Sequence, residues 1–119
     1  MTKAAALHRF FSSFGLPAYP AADVPDDAVL PYLVYEFTMG ALGDVTFPAV
    51  ELYFYSEGDL PINAKAQEIS DRCRRGEPVR YDGGGAVVYC GAWQGLRDEA
   101  SDKIKRRRSN FTIHWVSNT

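Results

Sequence analysis

The stretch FPAVELYFYS, residues 47–56, decides how this chain folds. Period-two alternation puts Val50, Leu52 and Phe54 on one face and Glu51, Tyr53 and Tyr55 on the other, so it reads as a β-strand. Both faces carry aromatic bulk. A strand apolar on both sides is either sandwiched within the protein or half-covered by a partner. Upstream, PYLVYEF (31–37) is a second strand, opened by Pro31 where no ladder donor is required. Between the two, MGALGD (39–44) punctuates the chain.

Toward the N-terminus, Leu7, Phe10, Phe11 and Phe14 recur at i, i+3, i+4 and i+7, one face of a helix. Thr2 caps its start, and Gly15 with Pro17 stops it. Burying those side chains contributes roughly 6–12 kcal/mol before entropy is set against it. A free helix this short is marginal in water, so it must pack on a sheet. Residues 16–31, with Pro17, Pro20, Pro25 and Pro31 and the pair Asp26-Asp27, form an irregular connection.

Toward the C-terminus, Asp59 and Pro61 open a second helix whose Ile62, Ala66, Ile69 and Cys73 share a stripe. Arg74-Arg75-Gly76 ends it, with cations and glycine where the dipole and cap favour them. Val79–Tyr81, a glycine turn at 82–85 and Ala86–Cys90 make a hairpin. Residues 91–103 read as a long polar loop, and Asn110–Val116 as a closing strand with Phe111, Ile113 and Trp115 inward. The order α-β-β-α-β-β-β predicts one α+β domain over 1–119, a mostly antiparallel sheet of about five strands with two helices.

Composition narrows the function classes. The chain has 119 residues, 46% apolar and 24% charged, ordinary values for a soluble fold. No apolar stretch approaches the roughly 18 residues of a membrane span. Ser12 and Ser13 interrupt Phe10, Phe11 and Phe14, so no signal-peptide layout is present and a cytoplasmic start is expected. The net charge of −2 conceals an asymmetry: residues 1–60 carry −6 and residues 61–119 carry +4. A pI near 5.6 is far below that of a free-standing nucleic-acid binder, which lies above about 9.

No familiar catalytic pattern emerges. Cys73 and Cys90 sit on different predicted elements and read as small buried apolar residues. His8 lies off the first helix's stripe, and His114 alternates with Ile113 and Trp115. Glu36 and Glu51 on adjoining strands read as solvent-facing acids, and the GGG run is turn chemistry without a following Lys-Ser/Thr. No enzyme activity, cofactor or metal is expected.

The dense basic run Lys103, Lys105, Arg106, Arg107 and Arg108 is the strongest surface signal. Alternation carried back along the last strand puts Lys105 and Arg107 with Phe111 and Ile113, and Arg106 and Arg108 opposite. Charges on both faces imply that the segment overhangs the core, as a projecting arm or a solvated edge. As an arm it would dock on a neighbour's acidic surface, for which Asp44 and Glu51, with Tyr53 and Tyr55, are the candidates. Such head-to-tail contacts close into rings or run on into filaments. The alternative is a small nucleic-acid-binding module, the basic 103–108 segment lying beside Tyr89, Trp93 and Trp115 as a stacking groove.

The layout has a family likeness. An opening helix ends in FFSSFGLPAYP (10–20), DVPDDA (23–28) leads to PYLVYEF, and NAKAQEIS (63–70) lies in the second helix. A glycine hairpin, CGAWQGLRDEASDKIKRR (90–107) and an aromatic strand follow. Across nearly its whole length the chain resembles the tail terminator proteins of long-tailed bacteriophages, also called tail completion or minor capsid proteins. The resemblance implies an α+β protomer of a homohexameric ring, a virion structural protein assembled in the bacterial host cytoplasm. The ring would cap the tail tube protein, stop its polymerisation and meet the head–tail connector. DNA would pass through its channel without specific binding, for which an acidic protein is suited, since phosphate-neutralising contacts would hold it. The implied subunit contacts are the 103–108 segment and the loops 38–48 and 91–102. No membrane role and no catalytic residue is implied.

Overall fold

The computed structural model describes residues 1–116. Two α-helices, α1 (Lys3–Ser12) and α2 (Leu60–Cys73), pack with mostly antiparallel strands in an α+β fold. The strands are β1 (Ala18–Pro20), β2 (Tyr32–Tyr35), β3 (Val45–Thr46), β4 (Ala49–Tyr55), β5 (Glu77–Tyr81), β6 (Gly84–Tyr89), β7 (Trp93–Arg97), β8 (Ile104–Asn110) and β9 (Thr112–Trp115). They form two sheets, ordered β1-β2-β4-β8-β7 and β3-β9-β6-β5, in which only β1 and β2 run parallel.

Nine strands among the described residues exceed the five expected, for three reasons. β1 and β3 are too short to leave a periodic signal. β7 occupies the segment expected to be loop, because Gln94, Gly95 and Arg97 hide its alternation while cross-strand pairing to β8 defines it. The closing strand is really the end of a longer one. β8 and β9 are separated only by Phe111, and β3 and β4 only by Phe47 and Pro48.

These four strands make one bent antiparallel ribbon. The pairing Tyr55↔Ile104 to Ala49↔Asn110 keeps its register through the corner to Thr46↔Ile113 and Val45↔His114. At the bend Phe111 N–H donates to Pro48 O at 2.8 Å. Pro48 has no donor to contribute there, so the ladder changes sheets without orphaning an N–H.

The helices fill one side. Thr2 Oγ1 accepts from Ala5 N–H at 3.1 Å and starts α1, whose Leu7, Phe10 and Phe11 are buried with Phe14 just beyond its end. Phe11 stacks on Tyr35 at 4.4 Å and reaches Phe111 at 5.9 Å, so α1 joins the two sheets at the ribbon's corner. In α2, Ile62, Ala66, Ile69 and Cys73 are buried as the stripe predicts. The β5–β6 hairpin turns on Asp82-Gly83, and Gly83, at φ +84°, takes a left-handed backbone that glycine adopts without steric cost.

Candidate functional site

The two faces of the five-stranded sheet differ in kind. Leu33 and Tyr35 on β2 and Val50 and Leu52 on β4 are buried against the helices. Their alternates point away from both helices. Along one cross-strand row, Tyr32 pairs with Tyr53, Tyr53 with Arg106, and Arg106 with Leu96. The next row is Val34, Glu51, Arg108 and Gln94. Every one of these side chains is half-buried or exposed.

This outer face is ordered by its own contacts. Tyr19 meets Tyr32 edge-on at 5.8 Å, Tyr32 stacks on Tyr53 at 5.1 Å, and the Arg106 guanidinium lies over Tyr53 at 5.0 Å. Arg106 pairs with Glu51 at 3.1 Å, and Tyr53 donates its hydroxyl proton to Glu51 Oε2 at 2.9 Å. Burial, followed by that bond to Glu51, pushes the Tyr53 hydroxyl up to about 12. Arg106 Nε, buried, has no hydrogen-bond partner among the described residues. The result is a stiff aromatic and charged platform of the residue types enriched at protein interfaces.

The basic run does not overhang the core, contrary to the sequence expectation. It is β8, an interior strand between β4 and β7. Charges on both faces are tolerated because each long side chain leaves the sheet toward a specific partner. On the helix side, Arg107 reaches Asp59 at 3.2 Å and Asn63 at 3.1 Å at the start of α2, and Lys105 donates to Asp102 O. On the outer side, Arg106 is bound as described, and Arg108 stays exposed. Lys103, just before the strand, pairs with Glu57 at 3.1 Å.

Of the candidate residues, Glu51, Tyr53, Tyr55, Arg106 and Arg108 therefore share the outer face. Lys105 and Arg107 lie on the opposite face, and Lys103 lies beyond the strand's end. Asp44 is elsewhere, closing a turn through Ala41 N–H to Asp44 Oδ2 at 2.8 Å. Tyr19, Tyr32 and Leu96 belong to the face and were missed. For Tyr32 the alternation of PYLVYEF carried the signal; for Leu96 nothing local did.

A second surface adjoins β3. Phe37, Met39, Leu42, Val45 and Phe47 are all exposed large apolar residues within one short segment. Its backbone is nevertheless pinned. Gly43 N–H donates to Trp115 O at 2.9 Å, Trp115 N–H to Asp44 O at 2.9 Å, and Lys3 Nζ to Gly40 O at 2.7 Å. Gly40 lies so close to the Trp115 ring that a Cβ there would stand 2.3 Å from it. A fixed backbone that displays apolar side chains is pre-organised for contact.

The reactive side chains are held in structural bonds. Cys90 Sγ donates to Gly91 O at 3.3 Å and lies 3.8 Å from both Ser70 Oγ and Ser109 Oγ; burial raises its thiol. Burial, and then Cys90 nearby, pushes Cys73 up to about 12. His114 is exposed, edge-on to Tyr89 at 5.5 Å. Glu36 accepts from Ala49 N–H at 2.6 Å while Glu51 serves Arg106, so the two carboxylates have separate partners. Among the described residues no group of His, Cys, Asp or Glu is arranged to hold a metal ion. None of their helices is long and apolar enough to cross a membrane. No family model matches this chain, and no curated protein matches it significantly.

Proposed function

We propose that this chain is a virion structural protein, the protomer of a ring that caps a phage tail tube and joins the tail to the head connector. It would assemble in the bacterial host cytoplasm and end in the virion. The observation that carries the reading is the pairing of an uncovered Tyr–Arg sheet face with a pinned loop displaying Phe37, Met39, Leu42, Val45 and Phe47. Apolar side chains clustered on an ordered loop mark contact with other protein. The face and the loop are different surfaces, so joining them across copies is heterologous and closes into a ring when the rotation permits. The likeness to tail terminators adds the ring's place and partners.

Nucleic-acid binding has one observation in its favour: tyrosines and arginines on an open sheet are what single-strand binders use for stacking. Its electrostatics are poor. Glu51 neutralises Arg106, Asp59 neutralises Arg107 and Glu57 neutralises Lys103. The chain's net charge is −2.

Light-scattering mass on a sizing column, across protein concentrations, separates the two. A discrete species of hexamer mass with no retention of a DNA oligonucleotide is expected. A monomer that retains DNA in low salt and releases it steeply in high salt would replace assembly with nucleic-acid binding.

A further inference from the structure

The basic surface left available by the fold is not the 103–108 run but a groove between α1 and β5. It encloses about 310 Å³. Its floor is apolar, with Ala6, Phe10 and Val79 all buried. Its rim brings together Arg9 from α1, Arg72 from α2 and Arg80 from β5. Arg72 is held in place, its guanidinium 4.4 Å from the Phe14 ring centre and its Nε 3.3 Å from Glu77 Oε1. Arg9 and Arg80 are exposed and form no ion pair among the described residues. Arg74 and Arg75 continue the basic rim past the end of α2, with Asp71 answering only Arg74, at 3.4 Å. Among the described residues Glu77 is the single acid lining the groove.

The chain also carries the complementary segment. Asp23, Asp26 and Asp27 are exposed and form no ion pair among the described residues. The segment is shaped by a 3-10 turn at Ala21–Asp23 and by Ala28 N–H donating to Pro25 O at 3.1 Å. Val29 beside it is 77% exposed, an apolar side chain matched to the groove's floor. The segment follows β1, an edge strand of the five-stranded sheet, whereas the groove is built on β5, an edge of the four-stranded sheet. Opposite charges at the edges of different sheets suit contact between copies, and such a contact is heterologous.

We propose that the Arg9–Arg72–Arg80 groove receives the acidic segment 23–29 of a second copy of this chain. This rests on the reading that the protein self-assembles, and it supplies that assembly with a specific joint. Arginine guanidinium groups meet the aspartates in paired hydrogen bonds, while Val29 covers the apolar floor.

The test is charge exchange in the full chain, read as mass against concentration. Arg9→Glu with Arg80→Glu, and separately Asp26→Lys with Asp27→Lys, should each raise the apparent dissociation constant at least about tenfold. The four changes together should restore assembly, because the charges face each other again. These sites are exposed, and circular dichroism of each variant checks that it folds. Independently, a peptide AADVPDDAVL (21–30) should dissociate the wild-type assembly, and the same peptide with lysines for its aspartates should not.

Wild-type assembly that persists in both reversed variants overturns this joint and leaves self-assembly standing. A wild type that is monomeric at every concentration overturns both. Retention of a DNA oligonucleotide that is lost only with Arg9 and Arg80, mass unchanged, reassigns the groove to phosphate and overturns the joint.

Discussion

The two faces of the five-stranded sheet, made by alternate residues of the same strands, are stabilised in opposite ways. On the helix side Leu33, Val50 and Leu52 are fully removed from solvent and carry no polar group. On the outer side Tyr32, Tyr53, Glu51 and Arg106 hold one another by stacking and charge while remaining partly wet. The first face makes the protein fold. The second costs little to leave open and retains chemistry that another protein surface can use. A hydrophobic outer face would have added stability and invited unspecific aggregation; ordered tyrosines and paired charges avoid that.

The sharpest way to break the contrast is Leu52→Ala. It empties space in the core where β4 packs against α2 and should cost about 2–5 kcal/mol, read as a lowered denaturant midpoint. An equal loss from Tyr53→Ala would show that the two faces are not different in kind.

Alkaline unfolding comes next. Cys73 and Tyr53 both have folded values raised to about 12, above their ordinary values of 9.0 and 10.0. The folded state therefore retains protons that the unfolded chain has released. The stabilisation is complete below the ordinary values and is lost as pH rises through 9–12. Each group should contribute a slope on the order of 1 kcal/mol per pH unit within its window. Cys73→Ala should remove the part beginning near pH 9 and Tyr53→Phe the part beginning near pH 10, as followed by denaturant titration.

Glu51→Gln tests the outer face directly. It takes the carboxylate from Arg106 and should cost about 1 kcal/mol, the pair being only partly buried. The same change should weaken assembly more than it weakens folding. Arg108→Ala is the smallest step, within about 0.5 kcal/mol for stability because the side chain is exposed. If its effect on oligomer mass is also absent, the outer face is not a subunit contact at that row.

Much of the helix-side architecture was legible in the residues. The stripes of α1 and α2 and the two faces of β4 follow from periods of 3.6 and 2; the helix stripes, Val50 and Leu52 are buried where the pattern put them, and Phe54 only partly. The candidate site was half legible. Glu51, Tyr53 and Tyr55 share a face by alternation alone, and Arg106 and Arg108 join them by the parity of β8. Their strand's position was misread, because a run of five cations looks incompatible with a sheet interior until its partners are known. Those partners, Glu51, Asp59 and Asn63, lie more than forty residues away in the chain.

By itself the sequence determined the local elements: two amphipathic helices, the glycine hairpin, the alternating strands and the absence of any sustained membrane-length apolar run. Tertiary structure alone decided that one ribbon bends at Pro48 and Phe111 to serve two sheets, that the basic run is an interior strand, and that Arg9, Arg72 and Arg80 from three different elements line one groove. The reason is physical. Periodicity encodes which face of an element is apolar, a property of neighbours in the chain. Whether a charge is paired or free depends on what folding brings beside it, and no local pattern contains that.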